Sequence, residues 1–483
     1  MTTRPFEVMN AQSAPARADS PTASRFQTLI VVAIPLALCA AAYFGATSRL
    51  PITGDEPHYL VMAESVATDF DLDLRNNYED EARRPRIYGA VVPHVGKTDR
   101  GWMPFHAPGL SVLLALPSGL AGIAGARFAM IALAGALPWS LFRWLSGEMP
   151  AVTAVWLTLG ATSALPFCFG AQQIYPDLPA GAAVLGLTLW LLRRPRERTA
   201  RGAWAAWWLA SGLLPWLHLK FMATTAVLAV AGAAMAYRSS NAQDGQTARS
   251  VAATSLLVAA GPAAIVAFNM WSTGRPFGFR GAEELSTSFD RALMTFLGLH
   301  FDQSQGLFVQ QPLMLAGLAA SVPFARLRPR AALLWVALYA SLIVPNSFEI
   351  AQFGGGGPAG RFGWSATWGW TVPLGLVVAH YHDRLHRYVK PAVVTCAVYQ
   401  IALAARWGPN PLLLFSRVDP HLSARDSLFP IAVRPWLPSF YFPDLSQHLR
   451  YAPDIAAVAL ALLVIASGAA AMVAWTPRIR RPF

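Results

Sequence analysis

The stretch Thr53-Gly54-Asp55-Glu56-Pro57-His58-Tyr59-Leu60 lies a few residues beyond the first long apolar run, 28–48. Two carboxylates and an imidazole therefore emerge where the chain leaves a segment long enough to cross a bilayer. Ionisable groups at that depth are costly unless they are solvated, paired or used. Asp55 could cap a helix that begins at Glu56-Pro57, with proline at an early helical position. A cap explains one carboxylate, not an acid pair followed by His58. If Pro57 starts a helix that Tyr59, Leu60 and residues 62–67 continue along the interface, Asp55 sits at a rigid hinge at head-group level. A carboxylate there can take a proton from a hydroxyl nucleophile or, with Glu56, hold a divalent ion.

The rest of the chain supplies the membrane that this reading needs. Of its 483 residues 54 % are hydrophobic and 13 % charged, against a usual charged share of about 25 %. That imbalance predicts an all-α polytopic membrane protein and excludes a string of soluble domains. The formal charge of +12 does not imply nucleic acid as a partner, because the arginines cluster at the ends of apolar runs, where they set topology. Cys39, Cys168 and Cys396 sit inside apolar runs without ligand-like spacing and read as buried small hydrophobes. Residues 1–27, rich in Ser, Ala, Thr and Arg, read as a disordered cytoplasmic tail, and 28–483 as a single transmembrane domain. The first apolar run lacks a clean cleavage site followed by a soluble domain, so it reads as an uncleaved span.

Apolar runs that cross or nearly cross are 28–48, 126–145, 150–168, 178–192, 203–218, 219–237, 251–271, 311–325, 331–347, 364–380, 391–407 and 454–475. Arginine-dense connections at 193–198, 326–330 and 384–390, with Arg478, Arg480 and Arg481, should be cytoplasmic. Keeping them on one side requires that 108–125, with Pro108, Pro117 and four glycines, form a re-entrant or interfacial hairpin. About twelve crossings follow, with both termini inside. The first external loop is then 49–125, and further external loops are 272–310, 348–363 and 408–453. Most polar groups that are not cytoplasmic anchors collect on the external face.

Several of those groups are candidates for chemistry. The acidic run Asp69-Phe70-Asp71-Leu72-Asp73 lacks the glycine and terminal glutamate of a calcium loop and reads as a polar turn. His106, in a loop of aromatics and prolines, is an open candidate. Tyr175-Pro176-Asp177 closes an external turn, where Asp177 either caps a helix or meets substrate. His218-Leu219-Lys220 interrupts an apolar hairpin at its external end, where lysine is not needed for orientation and could bind phosphate. The segment between two later spans carries Arg275, Arg280, His300, Asp302 and Gln305. The glycine run 354–357, followed by Gly360-Arg361, could bring backbone N–H groups and a guanidinium fork to an anion. It is not a nucleotide loop, since no lysine follows in register.

In their order and sidedness these features resemble the membrane-embedded glycosyltransferases of the GT-C superfamily, which include protein O-mannosyltransferases and lipid A aminoarabinose transferases. The resemblance lies in the acid-bearing first loop (Asp55-Glu56), the interfacial helices after it, the Tyr175-Pro176-Asp177 turn, and the basic residues Lys220 and Arg361 at later span ends. The large soluble C-terminal domain and Trp-Trp-Asp signature of the oligosaccharyltransferase subunit are missing, which argues against protein-sequon glycosylation.

The resemblance implies a sugar donor on a polyprenyl phosphate or pyrophosphate and an inverting displacement, in the inner or plasma membrane on its extracytoplasmic side. It implies Asp55 as base or orienting carboxylate, with Glu56 assisting or sharing a Mg or Mn ion. Lys220, Arg361, Arg275 and Arg280 would steady the leaving phosphate, and His58, Tyr59, Tyr175, Asp177, His218, His300, Asp302 and Gln305 would surround the substrates. The acceptor would be a glycan, lipid or protein hydroxyl in envelope glycan biosynthesis. A transporter or flippase of lipid-linked or polar solutes is the alternative. It predicts ionisable residues within helix centres and an inverted repeat, whereas mid-span charges are few and no inverted repeat is clear. A membrane acyltransferase would need a histidine-based site, for which His218 and His300 are the seeds.

Overall fold

The computed structural model describes residues 25–50, 52, 54–80, 91–193, 201–240, 245–279, 285–350, 352–354, 357–415, 437, 438 and 440. The chain is a polytopic helical membrane protein. Helices α1 (Arg25–Gly45), α2 (Glu56–Thr68) and α3 (Arg75–Glu79) lead to a small antiparallel hairpin of β1 (Val95–Thr98) and β2 (Gly101–Pro104). Then follow α4 (Gly109–Ala134), α5 (Ala136–Glu148), α6 (Ala151–Thr162), α7 (Leu165–Gly170), α8 (Asp177–Leu192), α9 (Arg201–Leu217), α10 (Met222–Ser240) and α11 (Gly245–Thr273). The last described elements are α12 (Phe289–Phe301), α13 (Leu307–Gln310), α14 (Leu313–Leu327), α15 (Pro329–Ser347), α16 (Arg361–Thr367), α17 (Thr371–His380) and α18 (His382–Trp407).

Helix dominates because a bilayer offers no partner to an unsatisfied backbone group. Among the described residues, six helical stretches are long and apolar enough to cross, among them α1, Gly109–Glu148, α15 and α18, and α6, α8 and α14 are shorter apolar helices. Their outer surfaces stay apolar: Val394, Val398 and Ile401 form an exposed stripe on α18, as Ile34 and Leu38 do on α1. Every expected crossing from 28–48 to 391–407 falls on helix. The run 150–168 is divided into α6 and α7, with Pro166 at the start of the second. The expected crossing 454–475 and the body of the 1–27 tail lie outside the described residues.

Three details position the site. First, α4 reverses on itself. Gly122 has φ +59° and ψ −144°, and a Cβ on Gly125 would lie 2.0 Å from the Pro117 carbonyl. Eight residues of straight helix would span about 12 Å, so the arm beginning at Gly109 folds back against the one that follows. The stretch expected to form a hairpin by itself, 108–125, supplies the first arm and the turn, and the returning arm runs on to Ala134, into the run expected as the next crossing. Second, α2 packs on both arms through Tyr59, Leu60, Leu110, Leu114, Ala126 and Met130, and the Ser111 hydroxyl donates to the Tyr59 carbonyl at 2.8 Å. Third, α8 and α16 touch backbone to backbone: a Cβ on Gly181 would lie 2.8 Å from Ser365 Cα. That close approach carries the first residues of both helices, Asp177 and Arg361, to the same end of the bundle.

Candidate functional site

Asp55 precedes α2, and its carbonyl accepts from the amides of His58 and Tyr59 at 3.1 and 3.2 Å. Its side chain makes no cap bond. It turns away from its own helix and accepts from Arg361 Nη1 at 2.9 Å, across 306 positions of sequence. Its other oxygen, Oδ1, faces His106 Nε2 at 3.7 Å. The Asp55 side chain is 20 % exposed, against 9 % for that of Arg361, so the pair is partly desolvated on one wall of a cavity.

Arg361 opens α16. Its start is held by Gln305, whose side-chain oxygen accepts from the Gly360 amide at 2.6 Å, and by Asn346, whose amide donates to the Phe362 carbonyl at 2.7 Å. Arg361 Nη2 donates to the Gly354 carbonyl at 3.0 Å, and the guanidinium lies over the Tyr175 ring, 4.5 Å from its centroid. Burial works against the charge on Arg361, but the Asp55 carboxylate, with Tyr175 and Asp177, outweighs it and holds the group above its ordinary value. Burial likewise pushes the Tyr175 phenol well up, so it stays protonated. Arg361 Nε donates to no protein atom among the described residues.

Lys220 lies in the turn Leu219–Phe221 between α9 and α10, and its Nζ meets Asp177 Oδ1 at 2.5 Å. It also stands over the Phe362 ring at 5.1 Å. The His218 Nδ1 accepts from the Lys220 amide at 3.2 Å, which fixes the turn. Together Asp55, Tyr59, His106, Tyr175, Asp177, His218, Lys220, Asn346, Glu349 and Arg361 line a cavity of about 400 Å³. Two cations and three carboxylates thus face one another around a space of small-ligand size, which runs from about 300 to 1,000 Å³.

Other expected site residues are elsewhere. Glu56 is fully buried and turned into the protein: Oε1 accepts from the Ile174 amide at 2.8 Å and Oε2 pairs with Arg127 Nη2 at 3.4 Å. It is not among the residues that line the cavity, and both of its oxygens are engaged within the protein. His58 packs behind the wall, with Nδ1 at 2.8 Å from the Tyr78 hydroxyl and its ring stacked on His94 at 4.2 Å. Burial pushes the Tyr78 phenol up, so it also stays protonated. His300 is buried between the Phe296 carbonyl and the Tyr339 hydroxyl, at 2.6 and 2.7 Å. Asp302 accepts from the amides of Ser304, Gln305 and Phe440 and so shapes a turn. Arg275 is exposed and outside the cavity lining, and Arg280 lies outside the described residues.

Sequence reasoning passed over Arg127 and His94. Arg127 is 3 % exposed in an apolar run, and an arginine at membrane depth signals a buried acid partner, here Glu56. His94 had no local signal. The hairpin that carries it to His106 follows from pairing twelve residues apart.

No family model and no curated protein sequence matches the chain. Among solved structures it is similar to ArnT from Cupriavidus metallidurans bound to undecaprenyl phosphate, at 15 % identity and a TM-score of 0.48, covering 94 % of this chain and 74 % of that one. It is similar also to the same protein in the apo state, at 16 % identity and a TM-score of 0.49, covering 92 % and 73 %. At that level of likeness, function has to be read from the cavity itself.

Proposed function

We propose that this chain is an integral-membrane glycosyltransferase of GT-C type, moving a sugar from a polyprenyl-phosphate or pyrophosphate donor to an acceptor hydroxyl in the Asp55–Arg361 cavity. One observation carries this reading: a carboxylate and two cations from distant parts of the sequence converge on a single cavity of about 400 Å³. Sugar transfer from a lipid phosphate needs those two functions side by side. Undecaprenyl phosphate, the lipid held by the similar ArnT structure, belongs to the class of product that such a donor leaves behind.

The acceptor oxygen attacks the anomeric carbon from the face opposite the phosphate, the C–O bond to phosphate breaks, and the configuration inverts. The acceptor proton passes to Asp55, which also aligns the attacking hydroxyl. The phosphate leaves with the bonding electrons, and Arg361 and Lys220 stabilise the negative charge that develops on it. Arg361 suits this role because its guanidinium lines the cavity while Nη1 and Nη2 are held in a fixed orientation by Asp55 and the Gly354 carbonyl. Lys220 reaches a ligand by exchanging the Asp177 carboxylate for a phosphate oxygen. Tyr175 backs the guanidinium, and His218 shapes the turn that presents Lys220. We place the cavity on the extracytoplasmic side, a reading supported by the tendency of arginine-rich connections to stay cytoplasmic.

The test is incubation of purified protein with labelled polyprenyl-phosphate sugars and total membrane acceptors, wild type beside Asp55→Asn. Transfer that requires Asp55 supports the reading. Transfer indifferent to Asp55→Asn removes the base assignment, and solute flux in liposomes without any transfer replaces the enzyme by a transporter.

A further inference from the structure

Beside the cavity, one ligand atom each from Asp55, His94 and His106 lies within 4.8 Å of the others. The folding that brings them together is local and specific. In the hairpin Val95 pairs with Pro104, and the Phe105 amide continues the ladder by donating to the His94 carbonyl at 3.3 Å. His94 therefore stands opposite Phe105, and His106 follows at once, with the two imidazole centroids 5.7 Å apart. The start of α2 then presents Asp55 to both. Tyr59, one turn into α2, packs its ring 4.9 Å from that of His106, and His58 covers the face of His94.

We propose that Asp55, His94 and His106 form a binding site for one divalent transition-metal ion of the zinc class, with its remaining coordination position open to the cavity. Tetrahedral ligands about 2.0–2.2 Å from zinc stand roughly 3.3–3.6 Å from one another, and Asp55 Oδ1 and His106 Nε2 are already 3.7 Å apart. Small side-chain rotations close the set. Two imidazoles and one carboxylate favour zinc and its neighbours over magnesium, calcium or manganese, which prefer oxygen. Three protein ligands with one open position is also the pattern of zinc sites that meet a substrate. Arg361 holds the second oxygen of Asp55 and so fixes the orientation of the carboxylate. His58 and Tyr59 do the same for the two rings by packing. This set differs from an ion shared by Asp55 and Glu56, because Glu56 is engaged with Arg127 and the Ile174 amide.

The proposal rests on and deepens the sugar-transfer reading of the same cavity, where an ion with one open position would help Asp55 align the acceptor hydroxyl. Its test does not depend on that reading. Tag-free protein is stripped with chelator and titrated with zinc ion alone by calorimetry, in the absence of any sugar donor. X-ray absorption at the zinc edge then reports the ligands. One ion per chain with nitrogen and oxygen ligands including imidazole is expected. His94→Ala and His106→Ala should each weaken binding a hundredfold or more, while His218→Ala, which lines the cavity outside the triad, should leave it unchanged. His94→Gln with a wild-type unfolding midpoint and weakened binding separates ligand loss from misfolding. No stoichiometric binding, or binding that survives both alanine substitutions, overturns the site. Transfer that persists without it would leave the sugar-transfer reading standing.

Discussion

Replacing Arg361 by lysine keeps the charge and removes the fork. In the wild type three contacts use different parts of one planar group: Nη1 to Asp55 at 2.9 Å, Nη2 to the Gly354 carbonyl at 3.0 Å, and the flat face on Tyr175 at 4.5 Å. A lysine has one nitrogen and no flat face, so it can keep Asp55 company or serve Gly354, not both. A hydrogen bond to a charged group contributes about 1.5–3 kcal/mol. If the same fork orients the leaving phosphate, the loss corresponds to roughly 10- to 150-fold in transfer rate. Folding should suffer less than in Arg361→Met, where Asp55 keeps its charge without a partner and the cost rises to about 3–5 kcal/mol for a buried pair broken on one side. Asp55 is 20 % exposed, which puts the expectation at the lower end of that range. Initial rates with a labelled donor measure the loss of transfer, and denaturant unfolding in detergent micelles measures the cost to folding. The double variant Arg361→Met, Asp55→Asn would then be less unstable than the sum of the single changes, because neither partner is left charged. The reasoning is refuted if Arg361→Lys transfers sugar at the wild-type rate, or if Arg361→Met is as stable as wild type.

Other expectations follow from the same contacts. Lys220→Met leaves Asp177, 2 % exposed, buried without its cation and should cost about 3–5 kcal/mol. Adding Asp177→Asn should restore much of the unfolding free energy but not donor binding, which separates the structural from the ligand-binding use of Lys220. Glu56→Gln should destabilise by about 1–3 kcal/mol, since it weakens the acceptor of a buried arginine and a buried amide, while its effect on transfer should track the fraction of folded protein. A Cβ at Gly54, whose φ is +60°, would lie 2.5 Å from the Tyr175 hydroxyl. Gly54→Ala should therefore cost about 1–3 kcal/mol in backbone strain and reduce transfer by displacing the ring under Arg361. Limited proteolysis with an activity assay would check both.

The helices were legible because a span is written as one long apolar run, and apolar runs need no partner to be recognised. The site was legible only in part. Asp55 and Glu56 are neighbours in sequence, and an acid pair reads as one functional unit. Adjacent helical positions point about 100° apart, so one carboxylate faces the cavity and the other faces Arg127. Nothing in the octapeptide around them says which. The capping reading of Asp55 stayed open beside the functional one until its partner was known, and that partner lies 306 positions away. Lys220, Asp177 and Arg361 were found because each polar group sits at the end of a span, where topology assigns it a side. Membrane sidedness is a long-range constraint that sequence does carry.

His300, Asp302 and Gln305 show where sidedness stops being enough. All three fall in the expected external segment 272–310, yet each is spent on the fold. His300 is bound between α12 and α15 through Tyr339, and Asp302 holds three amides. Gln305 is the instructive one. Its side chain never reaches the cavity, but through the Gly360 amide it fixes the first turn of α16, and so the origin from which Arg361 reaches Asp55. The same holds for Asn346, which pins the next carbonyl and also lines the cavity. Polar residues near a membrane surface therefore divide by whether their hydrogen bonds end on backbone or on another side chain. Those that end on backbone build the wall. Those whose bonds end on a side chain within the cavity, Asp55 on Arg361 and Lys220 on Asp177, hold charge that a substrate can exchange, and these are the contacts on which a transfer reaction can act.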